Sequence, residues 1–154
     1  MPNDERCKGF YDYINEFAPD IEVLAEVATD FNRETALADM HNVLTAYPEI
    51  DAVYSLDDET SIGVLQAIEE ANRTDIKVIT GGGGCQEYFH MMPDEKYQNI
   101  WVSSATYSPN MIVNCIENVI KVLKGEEVDH LVVMPTNIVD RENVESFFDA
   151  DTPY

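Results

Sequence analysis

A repeat of about 25 residues, in which a strand pattern is followed by a helix pattern, restricts the folds open to this chain. Short runs rich in Val and Ile alternate with longer segments whose apolar residues recur at helical spacing. This alternation predicts an α/β protein with a doubly wound, mostly parallel sheet, helices on both faces and right-handed crossovers. At 154 residues, the chain is long enough for one domain with a buried core.

The positions of the helices and strands follow from apolar spacing and from capping residues. We predict helices over 4–17, 32–48, 59–72, 86–92 and 110–125, with Asn32 as the N-cap of the second. We predict strands over 21–29, 51–56, 76–80 and 100–105, and a strand pair with a terminal helical turn over 130–148. In the last long helix Gly125 is the expected stop, and the stripe expected to face inward comprises Ile112, Ile116, Val119 and Leu123.

The charge balance argues against several classes of partner. Thirty acidic residues against 9 basic ones give a net charge of −21. Such a surface repels phosphate backbones and anionic lipids, so we expect no nucleic-acid partner. The 3 cysteines and 3 histidines are scattered, so we expect no disulfide framework, no metal site and no cofactor. The first residues lack the features of a signal peptide, and no apolar run has the length of a membrane helix.

Ligands of doubly wound sheets lie beyond the carboxyl ends of the strands, and this rule selects four loops. These loops span residues 29–31, 57–59, 81–84 and 105–108. A saccharide site needs flat apolar faces together with planar polar groups for the hydroxyls. Phe31, Asp57 and Tyr107, which follow successive strands, would supply that combination.

Four consecutive glycines, Gly81 to Gly84, follow one of the strands. The run lacks the Lys-Ser/Thr pair of a P-loop, and Gln86 stands where the last glycine of a GxGxxG motif would be. No acidic residue follows at the distance needed to hold a ribose. Two interpretations remain: a flexible loop, or the wall of a ligand cleft cut back to bare backbone.

The residues that could carry catalysis do not form a recognisable machinery. Asp57 and Asp58 are adjacent and point apart, whereas glycoside hydrolysis needs two carboxylates that flank the scissile bond. One of the two is expected to cap the following helix, and the other to accept hydrogen bonds from a ligand. Cys85 stands at a predicted helix N-terminus, but no histidine is placed to act as its base. We therefore predict a protein that is not an enzyme and has no catalytic residues.

Four stretches resemble the ribose-binding-like periplasmic proteins of sugar ABC importers. They are "RCKGFYDYI", "LTAYPEIDAVYSLDDETSIGVLQAI", "IKVITGGGG" and the tail "NIVDRENVESF". The second is the most specific, because it matches the family's pattern over its whole length. The likeness covers nearly all of the chain, yet it corresponds only to the second lobe of a two-lobed protein. It implies a lobe over 1–135 that lacks its first strand, followed by a hinge strand and terminal helix or tail over 136–154.

The resemblance also carries a ligand-binding set, position by position. Arg6 stands at the family's arginine and Phe31 at its stacking aromatic. Asp57 stands where the family has the Asn of "ND", and Gly82 stands where "GFDG" places its Asp. Tyr107 falls at or next to a glutamine that precedes an "xP" pair, here Ser108-Pro109. The missing carboxylate at Gly82 and the added stacking face of Tyr107 predict a ligand other than ribose, such as a larger or differently substituted saccharide.

The resemblance implies half of a carbohydrate cleft in the solute-binding component of a sugar importer. Its expected partners are a saccharide, the N-terminal lobe of the parent protein and an ABC permease. The parent protein is expected to work outside the cytoplasmic membrane. The alternative is the effector-binding core of a lac-repressor-family regulator, which shares the fold. Because the first strand of the lobe is absent, we expect the sheet to rearrange, to take up the tail "LVVMP", or to pair with a second copy as a homodimer.

Overall fold

A computed structural model describes residues 2–107 and 111–153 of the chain. Its α-helices in this part are α1 (Pro2–Phe17), α2 (Arg33–Ala46), α3 (Asp58–Glu70), α4 (Gln86–Met91) and α5 (Met111–Leu123). The strands are β1 (Ala52–Val53), β2 (Val78–Ile79), β3 (Gly82–Gly83), β4 (Trp101–Thr106) and β5 (Ile138–Asp140). Single 3-10 turns cover Glu95–Tyr97 and Val144–Phe147. Within these residues, no helix combines the length and apolarity needed to cross a bilayer.

The sheet is mostly parallel, in agreement with the β–α repeat. Its strands follow the order β1-β2-β4-β3, and β5 pairs antiparallel with β4. β1, β2 and β4 run parallel, with Ala52 opposite Val78 and Val78 opposite Trp101. The doubly wound α/β class predicted from the sequence is confirmed.

Capping side chains fix where the two central helices begin. The Asn32 side chain accepts a hydrogen bond from the Thr35 backbone N–H at 2.8 Å, which confirms Asn32 as the N-cap of α2. At the start of α3, Asp57 accepts from the Thr60 N–H at 2.9 Å. The helices pack so closely that a Cβ on Gly63 would stand 2.4 Å from the Arg33 carbonyl oxygen.

The core lies between the sheet and helices α2, α3 and α4. Helix α3 contributes most to it, because residues on nearly its whole circumference are buried. The largest side chains that are almost completely buried include Leu65, Ile76, Ile79, Tyr88, Phe89, Met92, Val139 and Val144. This core holds the carboxyl ends of β1, β2 and β4 at one edge of the sheet.

The prediction of a strand over 21–29 is wrong. This segment contains no strand, and its alternating side chains are exposed: Ile21 by 52%, Val23 by 38% and Val27 by 49%. A strand requires a hydrogen-bonding neighbour, and among the described residues β1 pairs only with β2. Residues 131–135, the expected substitute, form no strand either.

The inward face predicted for α5 is also wrong. Helix α5 has no buried residue, and Leu123 is 81% exposed. The apolar stripe has the right spacing, but the described part of the chain provides no surface that covers it. The predicted stop is confirmed, since α5 ends at Leu123 and Gly125 has a φ of 78°.

The tail and the glycine run differ in detail from their predictions. The tail contributes β5 and a 3-10 turn instead of a strand pair. Gly82 and Gly83, predicted as loop, pair with Ala105 and Thr106 and extend the sheet as β3. The boundary between 1–135 and 136–154 remains a prediction.

Candidate sugar cleft

A cavity of about 200 Å³ lies at the carboxyl end of the parallel strands. Four of the five site residues predicted from the sequence line it. Its lining comprises Phe31, Asp57, Asp58, Glu59, Gly82 and Tyr107. The strand-end rule therefore brings together residues from four separate loops.

Arg6, the fifth predicted residue, reaches the edge of this cavity from α1. Its Nη1 donates to the Leu56 carbonyl oxygen at 2.7 Å, and its guanidinium carbon lies 5.2 Å from the centre of the Tyr107 ring. Stacking of a guanidinium on an aromatic face is favourable and fixes the orientation of both groups. Arg6 thus binds the carbonyl that directly precedes Asp57.

Phe31 is presented by a strained turn between 21–29 and α2. Asp30 and Phe31 have φ values of 51° and 56°, in the left-handed region that bulky residues rarely adopt. The turn is closed by a hydrogen bond from the Asn32 N–H to the Thr29 carbonyl at 3.0 Å. As a result the Phe31 ring is 50% exposed at the cavity instead of packing in the core. Such strain is typical of binding residues held in place by their surroundings.

Asp57 both lines the cavity and caps the start of α3. Its Oδ1 accepts from the Thr60 N–H, and its Oδ2 accepts from the Thr60 hydroxyl at 2.6 Å. The carboxylate is 7% exposed, and each oxygen keeps a second lone-pair direction. It can therefore cap the helix and still accept a hydrogen bond from a ligand. Thr60 also pairs with the Thr29 hydroxyl, which ties the Phe31 turn to α3.

Backbone atoms of Leu56 and Ala105 pack closely around Gly82. A Cβ at this position would stand 2.9 Å from the Leu56 carbonyl oxygen and 3.5 Å from that of Ala105. An aspartate here would require the backbone around Leu56 to move. The glycine thus serves the close approach of neighbouring strand ends as well as the shape of the cavity wall.

Tyr107 follows β4 and lines the cavity together with Phe31. Its backbone N–H donates to the Gly83 carbonyl at 3.3 Å, and its side chain is 44% exposed beneath Arg6. The Ser108-Pro109 pair, on which the alignment with the family's glutamine depends, lies outside the described residues.

Asp58 lies outside the predicted ligand-binding set, although one aspartate of the Asp57-Asp58 pair was expected to cap the helix and the other to accept hydrogen bonds from a ligand. It is 1% exposed, and its Oδ2 accepts hydrogen bonds from the Gly84 N–H, the Cys85 N–H and the Ser104 hydroxyl. Burial raises the pKa of this carboxyl above its ordinary value, and the hydrogen bonds oppose that shift. The signal in the sequence was the Asp-Asp pair itself. The first aspartate caps the helix, and the second turns toward the glycines.

Cys85 offers no sign of a nucleophile. It is the N-cap residue of α4, as the sequence suggested, but burial raises the pKa of its thiol. His90 stacks on the Phe148 ring, with centroids 4.4 Å apart. In residues 2–107 and 111–153, no group of three or more His, Cys, Asp or Glu side chains is arranged to hold a metal ion.

A larger hollow of about 410 Å³ lies beside α5, between that helix and residues 127–132. Its lining combines polar and charged side chains of α5, among them Glu117 and Lys121, with residues 127–129 and Val132, and contains none of the strand-end residues. The smaller cavity is the better candidate, because it lies where the fold places ligands.

Comparison with known proteins decides the family. The sequence profile of the periplasmic binding protein domain matches residues 1–127. The chain belongs to this family. As a member, it is 36% identical over 128 residues to the ribose import binding protein of Escherichia coli strain K12. It is 27% identical over 143 residues to the xylitol-binding protein of Mycolicibacterium smegmatis.

This periplasmic binding protein domain spans only part of its relatives. The E. coli alignment covers 80% of the chain and 40% of the relative, and the M. smegmatis alignment covers 91% and 39%. A solved structure, the binding component of the arabinose ABC transporter of Shewanella sp. ANA-3 with bound L-arabinofuranose, superposes with a TM-score of 0.79. That match is 24% identical and covers 91% of this chain and 46% of the other. It supports the type I periplasmic binding protein fold and the match to a single lobe.

Proposed function

We propose that this domain forms one side of the carbohydrate cleft in the solute-binding component of a sugar ABC importer. The observation that carries this proposal is the convergence of Phe31, Asp57, Gly82 and Tyr107 on one strand-end cavity, with Arg6 at its edge. The two rings offer flat apolar faces for C–H surfaces, and Asp57 and Arg6 offer an acceptor and donors for hydroxyls.

The relatives favour import over regulation. The E. coli relative is a ribose import binding protein, and the solved Shewanella relative belongs to an arabinose transporter. The function is therefore binding rather than catalysis, and the protein works outside the cytoplasmic membrane with a permease and an opposing lobe. Without that opposing lobe, we expect the domain to bind saccharides weakly.

The ligand is a saccharide or polyol other than ribose. Gly82 contributes no carboxylate, and its backbone packing against Leu56 leaves no room for one. A buried hydrogen bond contributes about 1 kcal/mol, so the loss of an acceptor for two hydroxyls lowers affinity for ribose by roughly thirtyfold. The exposed rings of Phe31 and Tyr107 favour a ligand with larger apolar faces.

Saturation-transfer difference NMR on the 154-residue chain tests this function, because it detects weak binding. The panel contains ribose, hexoses, a disaccharide and a polyol, with a nucleotide as the negative control. We expect signals from at least one saccharide or polyol stronger than from ribose. The double variant Phe31→Ala/Tyr107→Ala should abolish these signals. Absence of any saccharide or polyol signal, or signals unchanged in the double variant, would contradict the proposal.

A further inference from the structure

The segment Gly81–Cys85, the glycine loop, lacks the side chains that would order its backbone. Four of its residues have no side chain, and Gly83 and Gly84 have φ values of 135° and 108°. Such a segment has many backbone conformations of similar energy, and ordering it is entropically costly. All five residues are nevertheless buried. The shape of the loop must therefore be imposed by its neighbours.

The Asp58 carboxylate holds this loop through two of its backbone N–H groups. Its Oδ2 lies 2.8 Å from the backbone nitrogen of Gly84 and 2.8 Å from that of Cys85. The Ser104 hydroxyl donates to the same oxygen at 3.0 Å, which fixes the carboxylate against β4. Hydrogen bonds to an ionised acceptor are stronger than those between neutral groups, and here they join α3, the loop and the sheet.

The fit around Gly81 couples the loop sequence to Asp58. A Cβ on Gly81 would stand 2.5 Å from Asp58 Oδ1 and 2.8 Å from Tyr88 Cε1. The carboxylate and the tyrosine ring thus occupy the space that a side chain at position 81 would need. Asp58 Oδ1 and Tyr88 Oη are both buried and have no hydrogen-bond partner among the described residues. An amide nitrogen in place of Oδ1 would add a donor to this interior.

The glycine loop in turn contributes Gly82 to the cavity wall and binds the segment that carries Tyr107. The Gly81 carbonyl accepts from the Ala105 N–H at 3.0 Å, and the Gly83 carbonyl accepts from the Tyr107 N–H at 3.3 Å. The position of a Cβ on Gly83 lies 3.5 Å from Asp58 Oδ2 and 3.9 Å from the Tyr107 hydroxyl. A displacement of the loop would therefore move both Gly82 and Tyr107.

We infer that Asp58 is a positioning residue for ligand binding. It holds the glycine loop, and through the loop Tyr107, in the arrangement that forms the cavity wall. This inference rests on the proposed function for its effect on affinity. It assigns the two adjacent aspartates different tasks: Asp57 faces the cavity, and Asp58 fixes the wall beside it.

The test compares Asp58→Ser and Asp58→Asn with the wild-type chain. Serine is too short to reach the loop amides, whereas asparagine retains an acceptor oxygen of the same reach. Asp75→Asn is the matched control, because Asp75 accepts from the Ile50 backbone N–H at 2.8 Å and lines no part of the cavity. Three quantities are measured for each: amide hydrogen exchange at Gly84 and Cys85, the Tyr107 amide shift, and the Kd for the best saccharide or polyol of the panel.

We expect Asp58→Ser to accelerate exchange at Gly84 and Cys85 by about tenfold or more and to raise Kd by about tenfold, the effect of losing a hydrogen bond to a charged group. Asp58→Asn should keep amide exchange at Gly84 and Cys85, and the Kd, close to their wild-type values. Asp75→Asn should lower global stability without changing the loop amides or Kd. Unchanged Kd in Asp58→Ser, despite freed amides, would overturn the positioning role.

Two further outcomes separate the inference from the proposed function. If the wild-type chain binds no saccharide or polyol, the proposed function fails, and a Tyr107 shift that moves with the loop amides still supports the positioning role. If Asp58→Ser does not fold, the inference is tested by amide hydrogen exchange at Gly84 and Cys85 in the wild-type chain and in Ser104→Ala. Rapid exchange of Gly84 and Cys85 in the wild-type chain would overturn the inference, and intermediate exchange in Ser104→Ala would support it.

Discussion

The guanidinium carbon of Arg6 lies 5.2 Å from the centre of the Tyr107 ring. This contact joins the first helix to the end of β4, beside a ring that lines the cavity. The same guanidinium donates to the Leu56 carbonyl, directly before the capping residue of α3. Arg6 therefore braces two strand ends at once.

Removing the Tyr107 ring should weaken binding more than removing its hydroxyl. In Tyr107→Ala the stacking face and the contact with Arg6 are both lost, and we expect the saccharide Kd to rise roughly tenfold. Tyr107→Phe retains the ring and should change Kd by less than about threefold. NMR titration of both variants checks this. Equal losses in the two variants would assign the binding energy to the hydroxyl instead.

Phe31 should show opposite effects on stability and on binding. Its left-handed backbone costs about 1 kcal/mol or more for a residue with a side chain, and its half-exposed ring returns little burial energy. Phe31→Gly should therefore leave the free energy of unfolding unchanged or slightly higher while weakening saccharide binding. Urea denaturation and titration measure the two quantities. A loss of stability above about 1 kcal/mol would mean that the ring packs in the core.

The sequence predicted the sheet class and the cavity better than it predicted the ends of the sheet. Asn32 and Gly125 could be assigned because capping is local chemistry that adjacent residues determine. The segment 21–29 alternates like a strand, but a strand forms only where a neighbour offers hydrogen bonds. Helix α5 likewise has the spacing of a buried helix without a surface in the described residues to cover it. Such nonlocal requirements do not appear in a local pattern.

Two glycine-to-alanine substitutions should change stability in opposite directions. A Cβ on Gly63 would stand 2.4 Å from the Arg33 carbonyl oxygen, so Gly63→Ala must push α2 and α3 apart. We expect a loss of about 1–3 kcal/mol in the free energy of unfolding. Gly9 is exposed within α1, and a Cβ added there would meet no atom within 4 Å, so Gly9→Ala should gain about 0.5–1 kcal/mol. Urea denaturation of both variants tests whether the α2–α3 contact is as close as described.

Asp58 and Asp75 should contribute to pH dependence with opposite signs. Hydrogen bonding to Arg73 holds the pKa of Asp75 below its ordinary value of 3.8, so its stabilisation is present above about pH 4 and lost on further acidification. Burial raises the pKa of Asp58, so its cost at neutral pH is relieved as pH falls through the raised pKa toward 3.8. The free energy of unfolding of Asp75→Asn should lie below that of wild type at neutral pH and approach it in acid. That of Asp58→Asn should fall relative to wild type as the pH is lowered from neutral to about 4.

These differences are measured by urea denaturation across that pH range, on both variants and on wild type. Parallel pH profiles for wild type and Asp58→Asn would mean that Asp58 is not desolvated in the folded chain.

The different roles of Asp57 and Asp58 in the candidate site could not be predicted from the sequence. Strand-end placement and family resemblance selected the residues that line the cavity. The division of labour between Asp57 and Asp58 depends on which rotamer meets the Thr60 N–H and which meets the Gly84 N–H. That choice depends on the path of the glycine loop, which pairs with β4 and is held by the Asp58 carboxylate. No spacing rule along the chain encodes it.

The most direct test of the proposed cleft is amide chemical-shift mapping of the chain during titration with the saccharide or polyol that binds best. We predict that the largest shifts fall on the backbone amides of Phe31, Asp57, Gly82 and Tyr107, with smaller shifts at Arg6 and none along α5. Shifts confined to α5 and residues 127–132, or no shifts at saturating ligand, would contradict a sugar cleft at the strand ends.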